Sequence, residues 1–149
     1  AILGALLEDK GQIDGAIKYA KKARSLSNNK NDKLVVYLLQ NNQIAEAIQA
    51  NNGANGLRSD ANEVMIQAKI DLAKAKTIFN QFIKKYGESD TYDCATVSMS
   101  VGDTNAALTY LEKAYDNGYI VWLRTDRTFN PLHTNPRFIA LIKKLNFPP

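Results

Sequence analysis

The sequence has few of the residues that most often carry chemistry at protein sites. Its 149 residues include one cysteine, one histidine and one tryptophan. A single cysteine, Cys94, excludes an internal disulfide and a cysteine-rich zinc site, and we interpret it as a small core residue. His133 has no second histidine to share a metal ion with, so we predict no metal site and no bound cofactor.

Long apolar runs are also missing. No stretch approaches the roughly 18–20 apolar residues of a membrane span, and Ile2–Leu7 is too short for a signal peptide. Because the chain begins at Ala1 rather than at methionine, we expect a fragment of a larger protein. The compartment stays unknown; we favour the cytoplasm, with the periplasm as the alternative if a missing upstream part carries a membrane span.

The charge is mildly basic, with a formal net charge of +4. Three lysine pairs, Lys21-Lys22, Lys84-Lys85 and Lys143-Lys144, are spread along the chain, which is typical of the solvated ends and faces of helices rather than of a nucleic-acid-binding stripe. One basic group shares a predicted helix with Tyr19. This group consists of Lys18, Lys21, Lys22 and Arg24. Because of it, nucleic-acid binding by a helical array is the alternative function.

A motif of small residues recurs along the chain. Gly11 and Gly102 are each followed five residues later by an alanine and then by a branched apolar residue, and Asn42 begins a weaker copy. A repeat of about 30–34 residues is implied, with one further copy that is hard to see. The alanines of the three visible copies are 31 and 60 residues apart: Ala16, Ala47 and Ala107.

Each part of the motif has a physical reason. Glycine, or asparagine as second choice, accepts the left-handed conformation that ends a helix. Asp103 is a good N-cap for the next helix, whereas Gln12 and Gln43 are poor ones. Alanine lets two helices cross closely, and apolar residues at spacings of three and four form one buried stripe. The motif therefore predicts pairs of packed helices.

This pattern resembles the tetratricopeptide repeat (TPR), an antiparallel helix pair stacked into a superhelix. The resemblance implies an all-α fold, an α-solenoid of antiparallel helix pairs with a C-terminal capping helix. Asn28 stands where the family usually has a closing proline. The residues that match the family in the first copy are Leu3-Gly4, Leu7, Gly11, Ala16, Tyr19-Ala20 and Ala23.

We predict one TPR-like domain over 1–149. Its repeats span about 1–30, 31–55, 56–88 and 89–118, and a cap spans 119–149. The predicted helices lie at about 2–9, 12–26, 31–41, 44–52, 90–101 and 104–117.

The segment 61–86 has no glycine or proline and leaves two alternatives. It forms one long helix, or it is a degenerate repeat that breaks near Ile70-Asp71-Leu72, with Ala75 as its key alanine. We favour the break. Asp60 followed by Glu63 resembles a capping box that opens this segment.

The stretch from Thr125 to Phe138 holds the only histidine, yet we interpret it as architecture. Asn135 followed by Pro136 predicts a helix start, and the helix runs to about Leu145. A terminal repeat must cover its open apolar face, so 119–147 is interpreted as a cap. Asp126 is expected to pair with Arg127 or Arg137. The predicted cap anchors are Trp122, Phe129, Leu132 and Phe138.

The C-terminal part carries a sharper resemblance, to the end of TPR arrays in multidomain bacterial signalling proteins. Three segments carry it: 108–115, 123–132 and 135–148. The family usually has Asp-Pro at Asp126-Arg127 and arginine at His133. In that family the array follows a winged-helix, adenylate-cyclase or serine/threonine kinase domain, so the resemblance implies a regulatory or interaction module.

The predicted function is protein–protein interaction or self-association, without catalysis. We find no nucleophile elbow, phosphate loop or metal-ligand spacing, and no small-molecule substrate is evident. A partner segment is expected in a concave groove lined by the first helix of each repeat. The candidate groove residues are Ala5, Glu8, Asp9, Val36, Leu39, Gln40, Thr96, Met99 and Ser100.

Overall fold

A computed structural model of the chain describes residues 13–27, 33–118, 120 and 123–145. All regular structure in these ranges is helical, and none of it is strand, so the all-α prediction is confirmed. None of these helices combines the length and the apolar character needed to cross a bilayer. The helices are α1 Ile13–Ser27, α2 Leu34–Gln40, α3 Ile44–Asn51, α4 Gly56–Ile70, α5 Leu72–Tyr86, α6 Thr91–Ser100, α7 Thr104–Asp116, a 3₁₀ helix Arg127–Leu132 and α8 Pro136–Lys144.

The chain divides into two compact units, Ala1–Ala75 and Lys76–Pro149. The prediction of a single domain with four repeats stays a prediction. The predicted helix at 2–9, the family-matching residues up to Gly11, Asn28 and the anchor Trp122 lie outside the described residues.

Two helix ends in the described part follow the predicted chemistry closely. Asn42 and Gly102 have left-handed φ angles of 58° and 77°. The next residue in each case donates its backbone N–H five residues back: Gln43 to the Leu38 carbonyl at 2.8 Å and Asp103 to the Ser98 carbonyl at 3.0 Å. This is the Schellman pattern, in which a left-handed residue satisfies carbonyls that a helix end leaves open.

The small residues of the motif hold one local position. An alanine is the fourth residue of α1, α3, α5 and α7, and each of the four is 0% exposed. No side chain larger than a methyl group fits such a position without displacing its neighbours. The four alanines are Ala16, Ala47, Ala75 and Ala107.

The segment 61–86 breaks at Asp71, so the alternative of one long helix is wrong. Asp71 has an extended backbone (φ −147°, ψ 96°), and its carboxylate accepts the Lys74 N–H at 3.1 Å. Asp103 caps α7 in the same way, through the Ala106 N–H at 2.9 Å. Ala75 is buried as predicted.

The predicted helix start at Asp60 is wrong. The helix α4 begins at Gly56, after an extended Asn55, so Asp60 lies inside the helix. An aspartate three residues before a glutamate occurs inside helices as well as in capping boxes. The turn at 51–56 determines that the helix starts before Asp60. Three side-chain bonds hold that turn: Asn51 to the Ser59 carbonyl (3.2 Å), Ser59 to the Ala54 carbonyl (3.1 Å) and Asn62 to Asn51 (3.1 Å).

In the first unit, α2 packs against α1, α3 and α4. Its buried positions place apolar side chains toward these neighbours, where burial of each large side chain contributes about 1.5–3 kcal/mol. The buried residues of α2 are Leu34, Val35, Tyr37, Leu38 and Leu39.

In the second unit, α6 and α7 pack together, and the 3₁₀ helix and α8 cover them. The predicted anchors Phe129, Leu132 and Phe138 are 0%, 1% and 2% exposed. They belong to one core cluster with residues of α6, α7 and α8, so their burial is confirmed, whereas the terminal cap stays a prediction. The other members of the cluster are Ala95, Leu108, Leu111, Ala114, Ile120, Leu123 and Leu141.

Candidate interaction surfaces

Three predicted groove residues lie on α2. Gln40 is exposed, Val36 is half-buried and Leu39 is buried at 6% exposure. The side chains of Val36 and Gln40 are therefore at least partly accessible on the surface of the first unit, whereas that of Leu39 is buried. Their assignment to a groove stays a prediction.

Three more lie on α6 and are half-buried. Met99 packs against the core cluster of the second unit. The hydroxyls of Thr96 and Ser100 bond within their own helix, to the Tyr92 carbonyl at 3.1 Å and the Val97 carbonyl at 2.6 Å. The remaining predicted groove residues, Ala5, Glu8 and Asp9, lie outside the described part of the chain.

The α2 and α6 residues correspond to one another at an offset of 60 positions. Val36 and Thr96 are both half-buried, while the neighbours on each side are buried in both helices. Val35 and Ala95, for example, are each 0% exposed. The two helices thus present the same face toward the α3 and α7 partners that follow them.

The basic residues of α1 are partly used within the fold. Lys21 Nζ lies 2.6 Å from Glu46 Oε2, and Arg24 donates to the Ala50 carbonyl at 2.7 Å. The hydrogen bond from Lys21 lowers the pKa of Glu46. Lys18 and Lys22 are exposed. Because two of the four cations hold α1 against α3, the nucleic-acid alternative gains no support here and stays a prediction.

Asp126 fixes the start of the 3₁₀ helix, but not through the predicted arginines. Its carboxylate accepts the Tyr92 hydroxyl at 2.7 Å and the Thr128 N–H at 3.0 Å. The Tyr92 ring also meets Phe129 edge-on, with centroids 5.7 Å apart. Sequence reasoning missed Tyr92 because it is 34 residues away from Asp126 and no local pattern joins them.

Arg137 pairs with Glu112 instead. Its Nε and Nη2 donate to the two Glu112 oxygens at 3.0 and 2.9 Å, a bidentate geometry that joins α8 to α7. The hydrogen bond from Arg137 lowers the pKa of Glu112. The cap of α8 is as predicted, since Asn135 accepts the Arg137 N–H at 2.9 Å. Arg137 therefore faces α7 rather than Asp126.

His133 lies beside an open depression on the cap. Its ring stacks on Phe138, with centroids 5.4 Å apart and planes inclined by 25°. The depression has a volume of about 290 Å³. The floor is apolar and comes from α8, and all ionisable side chains among its described lining residues are basic. The lining residues in the described part are Arg124, His133, Phe138, Ile139, Ile142 and Lys143.

The other perturbed groups have structural causes. Cys94 is 0% exposed, and burial raises the pKa of its thiol to about 12. Desolvation also raises the pKa of Tyr110. The Tyr110 hydroxyl lies 3.0 Å from the place a Cβ would take on Gly87, so that glycine allows a close approach. No group of three or more metal-ligating side chains occurs within 13–27, 33–118, 120 and 123–145.

Comparisons with protein-family models, with curated proteins and with solved structures find no match to this chain.

Proposed function

We propose that the chain is a TPR-like helical-repeat module that binds a segment of a partner protein and carries no catalytic activity. One observation carries the proposal. The α2–α3 and α6–α7 hairpins share a Schellman turn, a fully buried alanine at the fourth position of the second helix, and a common burial pattern, all at an offset of 60 residues. Repeated helical hairpins present extended faces that suit binding of a peptide or helix.

The surface proposed for the partner is the exposed part of the first helices. In the first unit it includes Val36 and Gln40, and in the second it includes Thr96 and Ser100. These side chains are small or polar, with one apolar anchor, which resembles the mixture of anchors and polar rim found in peptide-binding faces. The sharper resemblance of the C-terminal segments makes a bacterial regulatory or signalling protein the proposed context.

Peptide selection followed by mapping tests the proposal. A random linear-peptide phage library is selected on the full chain, and the tightest binder is titrated into ¹⁵N-labelled protein. We expect shifts at the surface proposed for the first unit, which includes Val36 and Gln40. Gln40→Glu should weaken binding more than Gln49→Glu, the same exchange on the exposed face of α3. Equal effects of the two variants would contradict the groove assignment.

A further inference from the structure

The cap of the second unit carries a surface that the proposed groove does not include. We call it the cap depression, defined by Arg124, His133, Phe138, Ile139, Ile142 and Lys143. We propose that the cap depression docks an acidic segment of another protein through one large apolar side chain.

The apolar part of the proposal comes from α8. Phe138 is buried in the core and presents one ring face to His133, while Ile139 is 40% exposed. Ile139 is one of few large apolar side chains of the described residues that stand this far into solvent. Apolar surface beside a concavity favours an apolar anchor from a partner, because its burial is the main source of affinity at such sites.

The size of the depression selects the kind of occupant. Its volume of about 290 Å³ lies at the lower limit of small-molecule pockets, which span roughly 300–1,000 Å³. It is also open to solvent, whereas small-molecule sites enclose most of their ligand. One large side chain from a peptide fits these dimensions better than an enclosed ligand does.

The charges around the depression indicate which residues a partner carries beside its apolar side chain. Arg124 and Lys143 bring basic side chains to the lining, and no acidic residue of the described part belongs to it. A partner segment with carboxylates beside its apolar side chain therefore complements the rim, and rim charges act mainly on association and salt dependence.

A defined probe tests this. The probe is a dye-labelled seven-residue peptide with phenylalanine at its centre and three acidic residues on each side, titrated into the full chain by fluorescence anisotropy. We expect binding that weakens with rising salt, because exposed charges are screened. A peptide with serine for phenylalanine, and a peptide with lysines for the acidic residues, should each bind at least about tenfold more weakly.

The variants come as a matched pair on one helix. Lys143→Glu should weaken binding about tenfold, because it places like charge against the peptide. Lys144→Glu makes the same change one residue on, where Lys144 lies over the Tyr115 ring and outside the depression, and should change binding less than about twofold. Ile139→Ser and Ala140→Ser form a second pair, and weaker peptide binding is expected only for Ile139→Ser. Circular dichroism melts verify that each variant is folded.

Three outcomes would overturn the proposal. Equal weakening by Lys143→Glu and Lys144→Glu would mean general charge attraction rather than docking. Equal binding of the serine peptide would remove the apolar anchor. Concentration-dependent dimerisation by sedimentation that Lys143→Glu abolishes would make the occupant a second copy of this chain. None of these results bears on the surfaces proposed for α2 and for α6, which the peptide selection tests separately.

Discussion

Asn42 and Gly102, 60 residues apart in the sequence, adopt the same left-handed backbone conformation and close the same type of helix end. Their φ angles are 58° and 77°, and each is followed by a backbone hydrogen bond that reaches five residues back. The alanine five residues after each is fully buried. Two distant segments thus form the same local structure at a helix end, so their similarity extends from the sequence to the backbone conformation.

The different residues at these two turns predict opposite responses to substitution. Gly102→Ala should destabilise the protein by about 1–2 kcal/mol, because a left-handed residue with a Cβ is strained. Nothing lies within 4 Å of a Cβ built on Gly102, so the cost comes from the backbone alone. Asn42→Gly should be neutral or stabilising by up to about 1 kcal/mol, and Asn42→Ala should destabilise. Urea unfolding measures all three, and a stabilising Gly102→Ala would contradict the turn assignment.

The buried alanines predict a strict size limit. Ala47→Leu should destabilise by about 1–3 kcal/mol, because Ala47 is 0% exposed and added methylenes must displace packed neighbours. Ala45 is exposed on the same helix, so Ala45→Leu is the matched control and should stay within about 0.5 kcal/mol. Chemical denaturation compares the two, and equal effects would remove the special role of the fourth helical position.

A core substitution tests the second unit. Leu111 is 0% exposed within the core cluster of the second unit, so Leu111→Ala should cost about 2–5 kcal/mol of unfolding free energy. Leu26→Ala removes the same atoms from a side chain that is 79% exposed, and should change stability by less than about 0.5 kcal/mol. A change near zero at Leu111 would place this leucine outside the core.

Local signals let the sequence predict much of this fold. Asn135 and Asp103 cap helices whose first N–H groups lie two or three residues away, so residue type alone identifies them. The break at Asp71 stayed open because no glycine or proline marks it. The backbone is extended at Asp71, and Ala75 in the following helix is buried.

Contacts between residues that are distant in the sequence could not be predicted from local patterns. Asp126 was expected to bind a nearby arginine, but its partner Tyr92 becomes adjacent only when the 3₁₀ helix docks on α6. The cap depression also had no sequence signature, since Arg124 and Lys143 are 19 positions apart and meet through the path of the chain. Pairings of this kind depend on tertiary structure, not on spacing.

The burial of Cys94 predicts slow alkylation of its thiol. Cys94 is 0% exposed and the pKa of its thiol is raised to about 12, so almost no thiolate exists at pH 8 in the folded protein. Iodoacetamide should modify it at least about a hundredfold more slowly than in guanidinium, because reaction requires opening of the core. Ser25→Cys adds an exposed thiol on α1 and should label at once. Mass spectrometry counts the adducts, and fast labelling of Cys94 would contradict its burial.

The pair formed by Arg137 and Glu112 predicts a small, pH-dependent contribution to stability. Both side chains are 42% exposed, so screening by water limits the loss from Arg137→Gln to about 0.5–1 kcal/mol at pH 7. Because the folded state lowers the pKa of Glu112, this stability is present above the ordinary glutamate pKa near 4.3 and is lost as pH falls through the folded value. The stabilities of wild type and Arg137→Gln should therefore converge once the pH falls below the folded-state pKa of Glu112.

The neighbouring ion pair supplies the control for that experiment. Lys113 lies 3.8 Å from Glu88, whose side chain is 97% exposed, so the pair lacks the bidentate geometry and the shielding that Arg137 has. Lys113→Gln should therefore change stability less than Arg137→Gln at pH 7, and its effect should vary less with pH. Thermal melts across the pH range, with the Glu112 carboxyl followed by NMR, measure both quantities. If the Glu112 pKa is unchanged in Arg137→Gln, the bidentate contact does not hold α8 to α7 in solution.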